Sequence, residues 1–441
     1  MKRYFALLLT ALIFGPASYA QNLNRKKLDS LFNVLQENNL AMGSIAISAN
    51  GKLIYQKAFG SAVINNTDKI PATENTEYRI GSITKMFTAV IIFQLVEEKK
   101  LALNDTLSNY FPELPNARQI TISNMLYHRS GLANFTSNTN FDNWKDKPKT
   151  HQELLALIKE QKPDFEPNTK ADYNNSNYLV LSFIIEKVCK KPYKDVLNER
   201  VIKKLGLNQT YYGNDSNPNP KEAASYKYLN NQWKADKAAW LDNFCGAGAI
   251  ISTPSDMLKF MNALFIGRLL TQNSLNQMKT MIDGYGMGIF PYKFDTHNGF
   301  GHNGKTEGFA SSLTFYPQDQ LTIAYCTNGE VYHKADILDG VLNIYFNKPY
   351  TIPTFKPVKL NEEVLNPYIG TYSSGPSGIQ VICTKNGDDL QLETRGQKMN
   401  LIALKDNKFW SKEFGFFFEF ERAGKKMTIE DVEDYYELKK Q

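Results

Sequence analysis

Apolar and polar positions repeat with different periods along the chain, and the period changes mark its elements. Segment 25–36 spaces its apolar residues as a helix does, whereas 43–48 and 52–60 alternate as strands do. Asn50-Gly51 joins those two strands and predicts a tight hairpin. A long middle section reads as helical, over 83–98, 151–159, 178–188 and 194–204. Strand patterns return at 285–290, 309–317 and 321–328, and a last helix pattern covers 335–345. Strands at both ends with helices between predict one sheet built from the two chain ends, with the helical section packed against it. Three prolines in 348–357 then predict a linker. Beyond it come short alternating segments (YIGTY, IQVICTK, LQLETRG, MNLIALK, KFWSKE, FGFFFEFE, YYELKK), which predict a small antiparallel barrel.

The first twenty residues follow another pattern. Met1-Lys2-Arg3 gives a positive start and 4–14 is an apolar run too short to span a bilayer. Ser18-Tyr19-Ala20 then supplies the small residues of a cleavage site. This predicts a cleaved signal over 1–20 and a periplasmic or secreted protein. No later stretch is long enough for a membrane span, and no cysteine follows the cleavage site to carry a lipid. The expected organisation is therefore a signal at 1–20, a main domain at 21–347, a linker at 348–361 and a barrel at 362–441.

Composition narrows the function class. With 441 residues, 42% hydrophobic and 22% charged, the chain is globular and long enough for two domains. Loss of Lys2 and Arg3 lowers the formal charge from +6 to +4. The lysine pairs are scattered, which argues against a nucleic-acid partner. Cys189, Cys245, Cys326 and Cys383 form no C-x-x-C and read as buried free thiols. The five histidines form neither H-x-H nor H-E-x-x-H, so no metal and no cofactor are expected.

Candidate chemistry starts at YRIGSITKMF. Ser82 and Lys85 are three residues apart, so a helix projects them together. Ser82 falls where backbone N–H groups are unsatisfied, and Lys85 sits among Ile83, Met86 and Phe87, where desolvation lowers its pKa. Alone, the pair is equally a helix cap beside a snorkelling lysine. Tyr173-Asn174-Asn175 precedes another apolar helix. A phenol beside an ammonium has a lowered pKa and can take the serine proton, and Asn175 can bond both the lysine and a substrate amide. The same asparagines also suit a helix cap. In GHNGKTEGF, Gly304 and its neighbours let a ligand lie against a strand edge, and His302 can donate to a substrate or to the phenol.

The order S-x-x-K, Y-x-N, H-x-G resembles the class C β-lactamase and penicillin-binding-protein-like serine hydrolases. The resemblance extends over about 25–346. It includes His128, Ser130, Gly131 and Leu132 as an H-x-S-G-L segment and 246–267 as a glycine loop with its helix. The tail from about Leu360 resembles the lipocalin-like barrel often appended to such hydrolases. The resemblance implies an α+β fold of the β-lactamase/DD-peptidase type followed by a small antiparallel barrel. It implies Ser82 as the acylated nucleophile, Lys85 and Tyr173 sharing acid and base duty, and Asn175 positioning substrate and lysine. The backbone N–H groups of Ser82 and Lys305 would hold the oxyanion.

One departure bears on substrate. True β-lactamases carry K-T-G where this chain has His302-Asn303-Gly304, and a histidine is largely neutral at pH 7. Lys305 would return a charge to the same rim. The expected activity is acyl-enzyme hydrolysis of small amides or esters, with D-amino-acid peptides, including cell-wall peptides, foremost. The alternatives are a class C-like β-lactamase and a penicillin sensor that acylates without turnover. An α/β-hydrolase lipase is disfavoured because no G-x-S-x-G occurs.

Overall fold

The computed structural model describes residues 23–65, 68–375, 378–430 and 435–441. The expected signal lies outside the described residues. The chain opens with helix α1 (Arg25–Glu37), strands β1 (Ala41–Ala49) and β2 (Lys52–Phe59) and helix α2 (Thr84–Glu97). Helices α3 (His151–Lys159), α4 (Asn175–Cys189) and α5 (Pro254–Phe265) follow. Then come β3 (Phe290–Phe294), β4 (His297–Thr306), β5 (Phe309–Tyr316), β6 (Leu321–Glu330) and α6 (Lys334–Tyr345).

These six strands form one antiparallel sheet ordered β3-β4-β5-β6-β1-β2. The two chain ends meet at its centre, where Ile45 pairs with Tyr325 and Ala46 with Ala324. Side-chain alternation gives the sheet two cores. Ile45, Ile47, Ile323 and Tyr325 face outward, onto α1 and α6. Ala46, Leu313, Ala324 and Cys326 face inward, onto α2, α4 and α5. Helix α2 is buried all round from Thr84 to Leu95, which explains why its sequence has no polar face.

Two expected elements are displaced. Segment 285–290 was read as a strand, yet β3 starts only at Phe290. Gly288 has φ +77°, and a Cβ there would lie 2.7 Å from the Ala89 Cβ and 3.0 Å from the Lys85 carbonyl. The glycines let this segment lie against α2 as a loop instead of alternating in a sheet. The helix expected over 194–204 is interrupted by a π-turn at Asn198–Ile202.

No helix or strand occupies residues 348–361. The tail is a closed barrel of eight antiparallel strands: β7 (Gly370–Ser373), β8 (Gln380–Asn386), β9 (Asp389–Thr394), β10 (Gln397–Ala403), β11 (Lys408–Ser411), β12 (Phe416–Phe420), β13 (Lys426–Glu430) and β14 (Tyr435–Lys440). The sequence reading missed β13, whose five residues hold only two apolar positions, Met427 and Ile429. The barrel is filled by its own side chains, among them Tyr372, Phe409, Phe418, Phe420 and Leu438. It is therefore a packed core and not a hollow carrier. All four cysteines are free thiols.

The barrel is joined to the main domain by shared packing. Trp410 and Phe417 stack with ring centroids 5.9 Å apart and are buried in the same core as α1, α6 and Phe355 of the linker. The Asn231 N–H also donates to the Glu413 carbonyl at 3.2 Å. Truncating Phe417 to Ala should therefore destabilise the whole chain by about 3 kcal/mol, the cost of deleting a buried ring. Guanidinium unfolding followed by tryptophan fluorescence measures this. A loss below ~1 kcal/mol would show that the two domains do not share a core.

Candidate active site

The turn that carries Ser82 is shaped by two glycines. Gly81 takes φ +51°, which opens a 3-10 turn, Gly81–Ile83, directly before α2. A Cβ on Gly81 would sit 2.9 Å from the Lys305 nitrogen, and one on Gly304 would sit 2.0 Å from the Ile80 carbonyl oxygen. Only glycine at both positions lets the turn and β4 meet backbone to backbone. The Ser311 hydroxyl seals the junction by donating to the Ile80 carbonyl at 2.8 Å. The main chains of Ser82 and Lys305 thereby become neighbours.

Lys85 projects from the first turn of α2 and has no exposed surface. Its Nζ lies 3.0 Å from Ser82 Oγ, 2.8 Å from Asn175 Oδ1 and 2.9 Å from the Ala247 carbonyl oxygen. It also lies 4.9 Å from the ring centre of Tyr173 and 5.7 Å from that of Tyr178. Desolvation holds its pKa well below the usual lysine value. The three contacts suit both protonation states. An ammonium donates to all three, whereas an amine donates to Asn175 and Ala247 and keeps its lone pair for Ser82.

Tyr173 is half-buried, and its hydroxyl faces the Ser82 side chain. Burial raises its pKa, and the neighbouring Ser82 offsets only part of that rise. The sequence reading expected the neighbouring ammonium to lower it. Burial outweighs that effect, and it drives Lys85 and Tyr173 toward their neutral forms together.

Residues without a functional role in the sequence reading hold this arrangement. The His128 carbonyl accepts from the Asp172 N–H at 2.9 Å, and His128 Nδ1 accepts from the Asn174 N–H at 3.1 Å. Its ring lies 4.6 Å from that of Tyr173, so both flanks and one face of Tyr173 are fixed by one residue. Burial, then the charge of Lys85, keeps His128 well below the usual histidine value and thus neutral. The Asn175 N–H donates to Asn134 Oδ1 at 3.2 Å, and its Nδ2 donates to Thr136 Oγ1 at 2.9 Å. One Nδ2 proton therefore serves the protein and the other is left for a ligand. Asn134 and Thr136, from one loop, and the Ala247 carbonyl, from another, carry no spacing signal, because both loops are far in sequence from Lys85.

His302 is only 2% exposed. Its Nδ1 is 2.5 Å from the Asn303 carbonyl oxygen, which can only accept, so Nδ1 carries the proton. Burial, then the charge of Lys85, pushes its pKa down to about 3. In the neutral ring Nε2 is a bare acceptor, and it has no hydrogen-bond partner among the described residues. The ring packs 4.6 Å from Phe290 and 6.2 Å from Tyr173. The expected donor at this position is thus an acceptor. Lys305 also differs from expectation. Strand alternation turns Asn303 and Lys305 to the opposite face of β4, into a cavity of about 470 Å³ shared with Glu330 and Lys334. Its main chain remains beside Ser82, but its ammonium is not on the rim of the cleft.

Comparison with known proteins agrees with this geometry. Residues 28–344 match the family model described as Beta-lactamase. Penicillin-binding protein 4* of Bacillus subtilis (strain 168) is 25% identical over 417 residues, covering 88% of this chain and 91% of that protein. Teichoic acid D-alanine hydrolase of Staphylococcus aureus (strain MRSA252) is 27% identical over 339 residues, covering 77% and 75%. Among solved structures, D-amino acid amidase from Ochrobactrum anthropi SV3 superposes with a TM-score of 0.65 at 27% identity, covering 73% of this chain and 99% of that one. The octameric penicillin-binding protein homologue from Pyrococcus abyssi superposes with a TM-score of 0.67 at 23% identity. It covers 95% of this chain and 100% of that one, so the shared fold includes the barrel. With its two-ended sheet, its buried helix and the serine at that helix's head, the chain belongs to the β-lactamase family of serine hydrolases.

Proposed function

We propose that this serine hydrolase cleaves small D-aminoacyl amides or esters through an acyl-enzyme on Ser82. The observation that carries the reading is the fully buried Lys85 Nζ, 3.0 Å from Ser82 Oγ and 2.8 Å from Asn175 Oδ1, with the Tyr173 ring 4.9 Å away. In the reaction Ser82 Oγ attacks the carbonyl carbon, and its proton passes to the neutral Lys85 amine. The N–H groups of Ser82 and Lys305 receive the oxyanion. The tetrahedral intermediate collapses, and the leaving nitrogen or oxygen takes the Tyr173 proton, which the Lys85 ammonium replaces. A water then attacks the ester by the same route in reverse. It gives its proton to the base pair and releases Ser82 and the acid.

The substrate class follows from the groups around the nucleophile. At the H-x-G position stands a neutral acceptor, His302 Nε2, and not a fixed cation. A buried neutral ring offers nothing to the carboxylate of a penicillin. The relatives named for teichoic acid D-alanine hydrolysis and D-amino acid amidase activity support a D-aminoacyl group. The start of the chain supports export, because 1–20 has the charge, apolar run and small residues of a cleaved signal.

Ser82→Ala should abolish labelling by a fluorophosphonate, read by intact mass; undiminished labelling would remove Ser82 from the chemistry. D-alanyl p-nitroanilide and a D-alanyl ester should turn over faster than benzylpenicillin. Faster penicillin hydrolysis would make the protein a β-lactamase, and a stable penicilloyl adduct without turnover would make it a sensor.

Lys85→Ala and Tyr173→Phe should each lower kcat/KM on the order of 10²–10⁴-fold, as for loss of a general base. The double variant should be little worse, since both act on one proton. Fully multiplicative losses would assign them separate steps.

The pH profile should show no histidine limb near 6.5, because burial keeps both His128 and His302 neutral. Stability should instead fall as pH drops from about 6.5 toward 3, where the unfolded chain binds protons that these folded rings refuse. A limb near pH 6.5 that disappears in His302→Gln would contradict the buried neutral ring.

A further inference from the structure

A second cavity, of about 460 Å³, lies where α6, the linker and the barrel meet. It is on the outer side of the sheet, away from the helices that carry Ser82 and Asn175. Seven aromatic side chains line it, alongside Lys405 and Lys408. Tyr332 and Phe417 meet edge-on at 5.5 Å, and Tyr435 lies at the rim with its hydroxyl 3.2 Å from His333 Nδ1. Carboxyl groups converge on it from both domains: Asp336 and Asp339 from α6, and Glu419 and Glu430 from the barrel. Lys408 is already paired with Glu419 at 2.9 Å. Asp336 and Glu430 stand beside each other across the domain junction, close enough for the Asp336 carboxylate to raise the Glu430 pKa. Glu430 Oε1 is shut off from solvent and has no hydrogen-bond partner among the described residues.

We propose that this interdomain cavity binds a small organic cation, an ammonium on an aromatic or aliphatic body. The size falls within the range of small-ligand pockets, and domain junctions are a common place for them. Aromatic faces attract a cation through their electron-rich π surface, and the facing carboxylates supply its counter-charge. A neutral ligand would satisfy the aromatic walls but leave four carboxyl groups set against only two lysines, and an anion would meet that excess of carboxyl groups. Burial, then the Asp336 carboxylate, pushes the Glu430 carboxyl up to about 8, so the empty pair holds a proton that an ammonium can take the place of. The proposal is independent of the hydrolase reading, since it uses none of the cleft residues.

The test is calorimetric titration of the full chain with phenethylammonium chloride, using phenethyl alcohol as the uncharged counterpart. The ammonium should bind with a sub-millimolar Kd, and the alcohol at least ~10-fold more weakly, for loss of the charge and its π contacts. Glu430→Gln should weaken ammonium binding about 10-fold, and Tyr435→Ala, at the exposed rim, several-fold. Ser82→Ala should bind as wild type does. Thermal melts confirm that the variants are folded. If Glu430→Gln does not fold, the rim variant Tyr435→Ala decides alone. Equal affinity for the alcohol, unchanged binding in the folded cavity variants, or silence up to about 10 mM ammonium would overturn the proposal.

Discussion

The site depends on keeping an amine dry. Lys85 lies on a helix that is buried on every side, and hydrocarbon around it makes the charged form costly. An amine in such a place must be satisfied completely, and it is, by Ser82, Asn175 and Ala247 from three separate parts of the chain. The requirement works outward. Asn175 must be held by Asn134 and Thr136, and the glycine loop must bring Ala247 to within hydrogen-bonding distance. Gly288 must let the loop before β3 lie against the Lys85 carbonyl. Much of the helical region can be understood as the housing that one buried lysine needs.

The same dryness reaches the neighbouring rings. Tyr173 is pushed up and His302 and His128 are pushed down, so every titratable group around the nucleophile is driven toward neutrality. Proton transfer between neutral partners avoids creating isolated charge in a medium that cannot solvate it. The acceptor at His302 Nε2 is part of this pattern, since a cation there would add its repulsion to that of Lys85.

Legibility in the sequence followed the locality of the physics. The pairing of Ser82 with Lys85 was readable because helical geometry alone puts residues three apart on one face. The barrel was readable because strand alternation is a local signal, except at Lys426–Glu430, where two apolar residues are too few to show it. Segment 285–290 misled because its alternation mimics a strand, while its glycines answer to the distant helix α2. The tautomer of His302 depends on one carbonyl, that of Asn303, and the facing of Lys305 depends on the register of β4. The role of His128 depends on a left-handed backbone at φ +58° that brings its carbonyl and its ring to opposite ends of one short segment. None of these has a sequence period.

The central pairing of β1 with β6 also governs the order in which the molecule can become active. Ser82 and Lys85 are made early, but the strand that carries Lys305, and the strand that closes the sheet over β1, come hundreds of residues later in synthesis. Until β6 arrives, β1 exposes an unpaired edge and an apolar face. Contacts of such long sequence separation form slowly, because the intervening loop must first be closed. A growing chain therefore holds Ser82 and Lys85 without the Lys305 main chain beside them until these late sheet contacts form.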